Sequence, residues 1–455
     1  MVKPSNVSQL FLPLVLLCGQ LLTFAAVVHA GTAANNNPDP TLITAPQEAT
    51  EAGGWWTFYS GTMNIAVNDY YDPHDVDFKW VYSRKEPLPV DPRILVMMHG
   101  SGGGEGTMRV FGPSSQGDIE VRTQDAEAYS QSWREWWTFG RDGRPYPGRR
   151  IVATLEFLTE RYDIDVRKRG IVLAGTSMGG AGAVAQTMIL PSPWRGYIAY
   201  SSAASGVIMP RQIAARDPAQ YTNFPPDNAA NKALWDSIDF EVQAQTDPIV
   251  RGMHYRHAFS TNDQFSAGVN RASTQLLFVN LVEKQQIGGA FGWVKAGHSF
   301  YEADVNIPNM STFESPEQDV TLDRAHPAIT RSTGNYPVLA ADRTNQQKFP
   351  RGHYNMGITW DHANIVDDSA QIIFPLKYKR RVNLGKGIPD QPTQITLSVT
   401  PRRARIFELR DSETLKWSWD GNARSGVATV TGDTVTIDDI QLVSGENYKK
   451  LRIYR

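Results

Sequence analysis

Two glycine-rich segments hold the residues whose types and spacing could do chemistry. The first, Ile171-Val172-Leu173-Ala174-Gly175-Thr176-Ser177-Met178-Gly179-Gly180, sets a serine inside G-x-S-x-G. An apolar run precedes it and a stretch of small residues, Gly180 to Ile189, follows. A serine hydroxyl becomes a useful nucleophile when a sharp strand-to-helix turn projects it above a sheet and a base can take its proton. That turn needs Gly175 and Gly179, because a side chain at either would collide with the neighbouring strand and helix. The helix after Ser177 points its N-terminus at the reaction centre, where negative charge develops. The five-residue pattern is common by itself. The strand before it and the helix after it favour a nucleophile over a structural glycine turn.

The second segment is His99-Gly100-Ser101-Gly102-Gly103-Gly104, directly after the apolar run Ile94 to Met98. A loop of this kind aims backbone N–H groups at an oxyanion, here from Ser101 and Gly102, with the Met178 N–H as a further donor. A nucleotide-binding loop is the alternative. It fails in detail, since no Lys-Ser/Thr pair follows and G-x-G-x-x-G is poorly matched. His99 is read as bracing this loop rather than acting as a base.

These segments need a scaffold of buried strands and covering helices. Ile94 to Met98, Gly170 to Ala174 and Arg195 to Ser201 are short apolar runs bounded by turn signals, as in strands buried on both faces of a parallel sheet. Ile151, Leu155 and Leu158 mark a helix over Ile151 to Tyr162. Strands alternating with helices imply βαβ units and a mostly parallel α/β sheet over residues 55–385. From about Gln391 the pattern changes. Ile395, Leu397 and Val399 alternate with polar residues, as do Leu415, Trp417 and Trp419, with turn signals at Asp420-Gly421 and Gly432-Asp433. That grammar predicts a small antiparallel β-sandwich over 386–455, entered through Lys386 to Asp390. Trp417 and Trp419 share one face of their strand, which we assign to the sandwich core. Residues 206–250 interrupt the α/β pattern with Pro210, Pro225-Pro226 and Trp235 and are a candidate lid.

In these features the chain resembles the α/β-hydrolase superfamily, and within it secreted carboxylesterases of the feruloyl-esterase and polyhydroxyalkanoate-depolymerase type. The residues that carry the resemblance are His99-Gly100, Gly175 to Gly180 and Gly297-His298, and it covers roughly Trp80 to Tyr301. It implies an α/β-hydrolase fold and a triad in the chain order Ser, acid, His. On that order His298 is the base, on a Gly-His step after a short apolar strand. Asp263 is the acid, at a strand end thirty-five residues earlier. Asp247 stays open as the second choice of acid, and Asp263 also suits a helix N-cap. The resemblance implies a serine esterase that forms an acyl-enzyme, needs no cofactor and acts on a small or polymeric ester. A serine peptidase of the prolyl-oligopeptidase type would use the same triad, although the residues ahead of Trp55 are too few for the propeller such enzymes usually carry. A non-catalytic polymer-binding or adhesion protein on a hydrolase scaffold is the remaining alternative.

The aromatic residues Trp133, Trp136 and Trp137 lie between the two glycine segments and are candidate substrate-wall residues, with a core and packing role as the equal alternative. His353, Asp361, His362, Asp367 and Asp368 lack diagnostic metal-ligand spacing, so no metal is expected.

Composition bounds the remainder. Of 455 residues, 45 are Lys or Arg and 47 Asp or Glu, a net charge of −2, which argues against nucleic acid as a partner. An apolar fraction of 41% excludes overall disorder. The single cysteine, Cys18, excludes a disulfide framework and Cys-ligated metal centres. It sits in the apolar run Leu10 to Val28, which with Lys3 before it and Val28-His29-Ala30 after it reads as a bacterial-type signal peptide over 1–30. An uncleaved anchor is the rival reading. Cleavage would give a secreted or periplasmic enzyme without stable membrane insertion, without cysteine, and with a flexible lead-in over 31–54.

Overall fold

The apolar runs around the two glycine segments become the middle of a ten-stranded sheet. The computed structural model describes residues 41–48, 56–68, 73–100, 117–123, 136, 146–204, 228–260, 281–294, 320–336, 352–380, 389–421 and 423–455. The strands are β1 (Thr41–Glu48), β2 (Trp56–Asn68), β3 (Pro73–Lys85), β4 (Ile94–Met98), β5 (Ile119–Thr123), β6 (Ile171–Thr176), β7 (Ile198–Ala204), β8 (His254–Ser260), β9 (Gly288–Val294), β10 (His326–Ser332) and β11 (Gly352–Tyr354). All but β10 join this sheet, in the order β1-β2-β3-β5-β4-β6-β7-β8-β9-β11. From β5 to β9 every neighbouring pair is parallel. The first three strands and β11 are antiparallel additions. The run β2-β3-β5-β4-β6-β7-β8-β9 has the strand order of the α/β-hydrolase fold, as the sequence led us to expect. β1 falls inside the stretch 31–54 read as a flexible lead-in. Its main-chain pairing with β2 supplies an order that its composition does not signal.

Helices cover one face. They are α1 (Tyr146–Tyr162), α2 (Val166–Arg169), α3 (Met178–Ile189), α4 (Lys232–Ser237), α5 (Phe240–Thr246) and α6 (Pro248–Arg251). The stripe Ile151, Leu155 and Leu158 of α1 is fully buried in one cluster with Val96 and Leu173 of the sheet and with Trp235 and Phe240 from α4 and α5. Every residue of α3 is buried. Its glycines and alanines let it lie closer to the sheet than longer side chains would allow.

The opposite face is covered by strands. β10 pairs with β15 (Gln394–Arg402), which pairs with β18 (Ile437–Val443). A second antiparallel sheet runs β12 (Ile358–Trp360), β14 (Gln371–Tyr378), β19 (Lys449–Tyr454), β16 (Thr414–Trp419), β17 (Arg424–Thr429), with β13 (Val366–Asp367) beside β14. These two sheets therefore recruit strands from 326–378, ahead of the change in sequence grammar. Leu95, Val172, Ala174, Ala199 and Tyr200 of the large sheet share a core with Ile395, Leu397, Leu415 and Trp419. Trp417 packs partly buried against it.

Arg93 and Arg402, which are buried, and Arg403, which is half-buried, fasten this layer to the main chain. Arg403 donates to the carbonyls of Ile198 and Ala199, Arg402 to those of Gln285 and Gln286, and Arg93 to that of Val320. Burial pushes Arg403 down to about 10, so it remains cationic at neutral pH. Its two carbonyl bonds offset part of its desolvation. No helix among the described residues is long and apolar enough to cross a membrane.

Histidines are buried on both faces of the large sheet, His254 beside Trp360 and His257 beside Tyr255 and Phe291. The rings of His254 and His326 lie 5.9 Å apart, and His254 packs on Trp360. His254, His257, His326 and His353 are all buried. Burial is the leading cause that lowers each of them, His254 and His257 to about 3 and His353 to about 4. The unfolded chain binds these protons near pH 6.5, the folded chain only far below it. Stability is therefore complete above about pH 6.5. It is lost as pH falls below that value, by about 1.4 kcal/mol per pH unit for each such histidine. Thermal unfolding followed by circular dichroism should show a steep fall in Tm between about pH 6.5 and 4. A Tm unchanged over that range would contradict this account of the buried histidines.

Candidate active site

β4 has its sequence successor β5 on one side and β6 on the other, so the strand order reverses around it. In open parallel sheets ligands bind at such a switch point, outside the carboxyl ends of the strands. Both glycine segments leave the sheet there. His99-Gly100 follows the last residue of β4 and Ser177 the last residue of β6, and Met98 is level with Gly175.

Ser177 has φ 60° and ψ −125° and starts α3 without making a side-chain capping bond to it. A non-glycine residue in that region stores about 1–3 kcal/mol of strain, which the packed strand and helix hold in place. Two glycines make the turn possible. A Cβ on Gly175 would stand 2.2 Å from the Gly179 carbonyl oxygen, and one on Gly179 would stand 2.1 Å from that of Met98 and 2.6 Å from that of His99. Met178 is the first residue of α3 and is buried. Its N–H belongs to the first turn, whose donors have no carbonyl within the helix.

The chain after β4 lies against the serine. A Cβ built on Gly100 would be 3.4 Å from Ser177 Cβ and 3.9 Å from Ser177 Oγ. The His99 ring turns back onto its own loop, with Nδ1 2.8 Å from the Gly100 carbonyl oxygen. Trp136 has a different place from the substrate wall considered above. It is fully buried, its indole N–H donates to the His99 carbonyl at 3.1 Å, and its ring meets that of His99 edge-on at 5.3 Å. The Gln186 side-chain amide donates to the Trp136 carbonyl, and the Arg150 guanidinium lies 5.8 Å from the indole centroid. A Cβ on Gly182 would be 2.5 Å from Trp136. Sequence reading missed Gly182 and Gln186 as parts of this site. Their signal is the spacing Gly179, Gly182, Gln186, which is one face of α3.

Ser101, Gly102, Trp133, Trp137, Asp263 and His298 lie outside the described residues. The strands ahead of the last two are described. β8 ends at Ser260, three residues before Asp263, and β9 ends at Val294, four before His298. Ala258 and Gly292 are level with Ala204, which is level with Thr176, so both strands run out at the edge where Ser177 stands.

Asp247 belongs to the other edge. It precedes β8 by seven residues, it caps α6 through the Ile249 N–H, and it pairs with Arg195 at 2.9 Å. A seven-residue strand, about 20 Å, separates the two edges. Of the candidate lid, the described residues 228–250 form α4, α5 and the start of α6. They carry Trp235, Phe240 and Val250 into the core beneath the sheet, because the parallel pair β7 and β8 requires a crossover there. Among the described residues no group of three or more His, Cys, Asp or Glu side chains converges as metal ligands.

No family model matches the sequence, and no curated protein matches it. Solved structures similar to the chain include an S-formylglutathione hydrolase from Agrobacterium tumefaciens, at 16% identity over 61% of this chain and 96% of that one, with a TM-score of 0.41. An acetyl xylan esterase from Thermoanaerobacterium is 11% identical over 58% of this chain and 84% of that one, with a TM-score of 0.36. A glucuronoyl esterase from Solibacter usitatus is 9% identical over 59% and 83%, with a TM-score of 0.37.

The steric limits at the turn give a direct test. Gly179→Ala forces α3 away from the Met98 and His99 carbonyls. It should cost more than about 2 kcal/mol of stability or prevent soluble expression. Gly196→Ala, at a site with nothing within 4 Å of the added Cβ, should change stability by less than about 1 kcal/mol. Urea unfolding of the two variants checks the contrast.

Proposed function

We propose that this protein is an exported serine hydrolase of carboxylic esters, working through Ser177, His298 and Asp263. The observation that carries the reading is the strained Ser177 turn at the switch point, with the Gly100 backbone against it. Supporting it are the ends of β8 and β9 at the same sheet edge, just ahead of Asp263 and His298. Export is supported by Lys3, the apolar run after it and the small residue at Ala30.

In this mechanism the Ser177 oxygen attacks the ester carbonyl while His298 takes its proton. Asp263 holds the imidazole in the required tautomer and stabilises its charged form. The oxyanion of the tetrahedral intermediate accepts N–H bonds from Met178 and from the Ser101-Gly102 segment, at the positive end of α3. The C–O bond breaks as His298 returns the proton to the departing alcohol. Water, deprotonated by His298, then attacks the acyl-enzyme, releases the acid and restores Ser177. All of these groups come from the chain.

Hydrolysis of p-nitrophenyl acetate, run beside a peptide anilide, tests the reading. Ser177→Ala should lower kcat/KM by about 10⁴-fold or more without changing Tm substantially, and the ester should be the better substrate. Asp263→Asn should lower it by about 10³- to 10⁴-fold, and Asp247→Asn by less than about twofold. Wild-type rates in Ser177→Ala, or a large loss in Asp247→Asn alone, would overturn the assignment.

A further inference from the structure

We propose that Trp136 is a positioning residue for oxyanion stabilisation, acting through the peptide that follows β4. The inference rests on the serine-hydrolase reading above and adds a residue that touches neither substrate nor nucleophile. The indole N–H donates to the His99 carbonyl. A peptide unit is planar, with its C=O and N–H on opposite sides, so a bond that fixes the His99 carbonyl also fixes the direction of the Gly100 N–H. Gly100 lies against Ser177, and the chain runs on from it to Ser101 and Gly102.

The indole cannot swing away. It is fully buried, Gln186 holds its main-chain carbonyl, and the surface of α3 at Gly182 lies against its Cβ and Cγ. Gly179 also comes up to the His99 carbonyl and leaves less than the width of a methyl group. The peptide between β4 and its glycine loop is therefore held between a hydrogen-bond donor and the first turns of the helix that carries Ser177. Ser177 and the His99-Gly100 peptide are both held by one helix, α3. It acts on the serine directly at its N-terminus and on that peptide through Trp136.

This arrangement separates a positioning role from a packing role. Trp136→Phe keeps most of the buried ring and removes only the donor. With the wild type hydrolysing p-nitrophenyl esters, we expect Trp136→Phe to lower kcat by about 10- to 100-fold, the scale of a displacement of about 1 Å in a catalytic group, with KM within about twofold. A thionoester supplies the second readout. Its sulfur accepts N–H bonds poorly, so the ratio of ester to thionoester rates reports the oxyanion donors. That ratio should fall in Trp136→Phe.

Should Trp136→Phe fail to fold, Gln186→Met loosens the same indole from a distance. It should lower kcat and the same ratio in a smaller degree. A variant that folds and keeps both kcat and the ratio at wild-type values overturns the proposal, as does one that loses stability while the ratio is unchanged. A wild type that hydrolyses no ester would instead defeat the reading of the site, so the two failures are distinguishable.

Discussion

The closeness of α3 to the sheet is the constraint on which the rest depends. At Gly175 and Gly179 the helix, β6 and the chain leaving β4 approach so nearly that no Cβ fits between them. That approach forces Ser177 into its strained conformation. It also sets the Met178 N–H at the head of a fully buried helix and presses Gly100 against the serine. Van der Waals contact across this seam holds the strain, since a packed interior gives way only at a cost of kilocalories. The small residues Gly179 to Ala183 in the first turns of α3 are the sequence's means of achieving it.

A seam of that kind needs a rigid sheet behind it, and here the second face of the sheet is covered by β-structure. The antiparallel layers share one core with β4, β6 and β7, and arginines tie them to carbonyls at the start of β7 and just ahead of β9. The C-terminal strands are therefore part of what holds the site. Their removal would expose Leu95, Val172 and Tyr200, an apolar face that a soluble chain does not leave open. His254 and His326 lie in this same interior beside Trp360, so proton uptake there loosens the support of the site and the fold together.

Much of this was legible in the sequence, for physical reasons that differ along the chain. β4 and β6 announce themselves because both of their faces are buried, which leaves continuous apolar runs between glycines. α1 and the strands β15 and β16 are legible from their periods. β14 was not, because Pro375 stands inside its buried run Ile372 to Leu376, and a proline argues against a paired strand. β8 was legible only as an unusually polar strand, and its histidines are buried in neutral form. The Ser177 turn is a local motif and needed no tertiary information. Trp136 was different. Its role depends on which side of α3 it meets, and no spacing within its own segment records that. That Asp247 lies at the edge of the sheet away from Ser177 is likewise a matter of topology, which its sequence neighbourhood does not record.

The most direct measurement of the central claim is covalent capture of the serine. The full chain would be incubated with a fluorophosphonate, weighed intact and digested for peptide mapping. The account predicts one adduct per chain, located on Ser177 and absent after heat denaturation. No adduct, or an adduct on another serine with Ser177 unmodified, would contradict it.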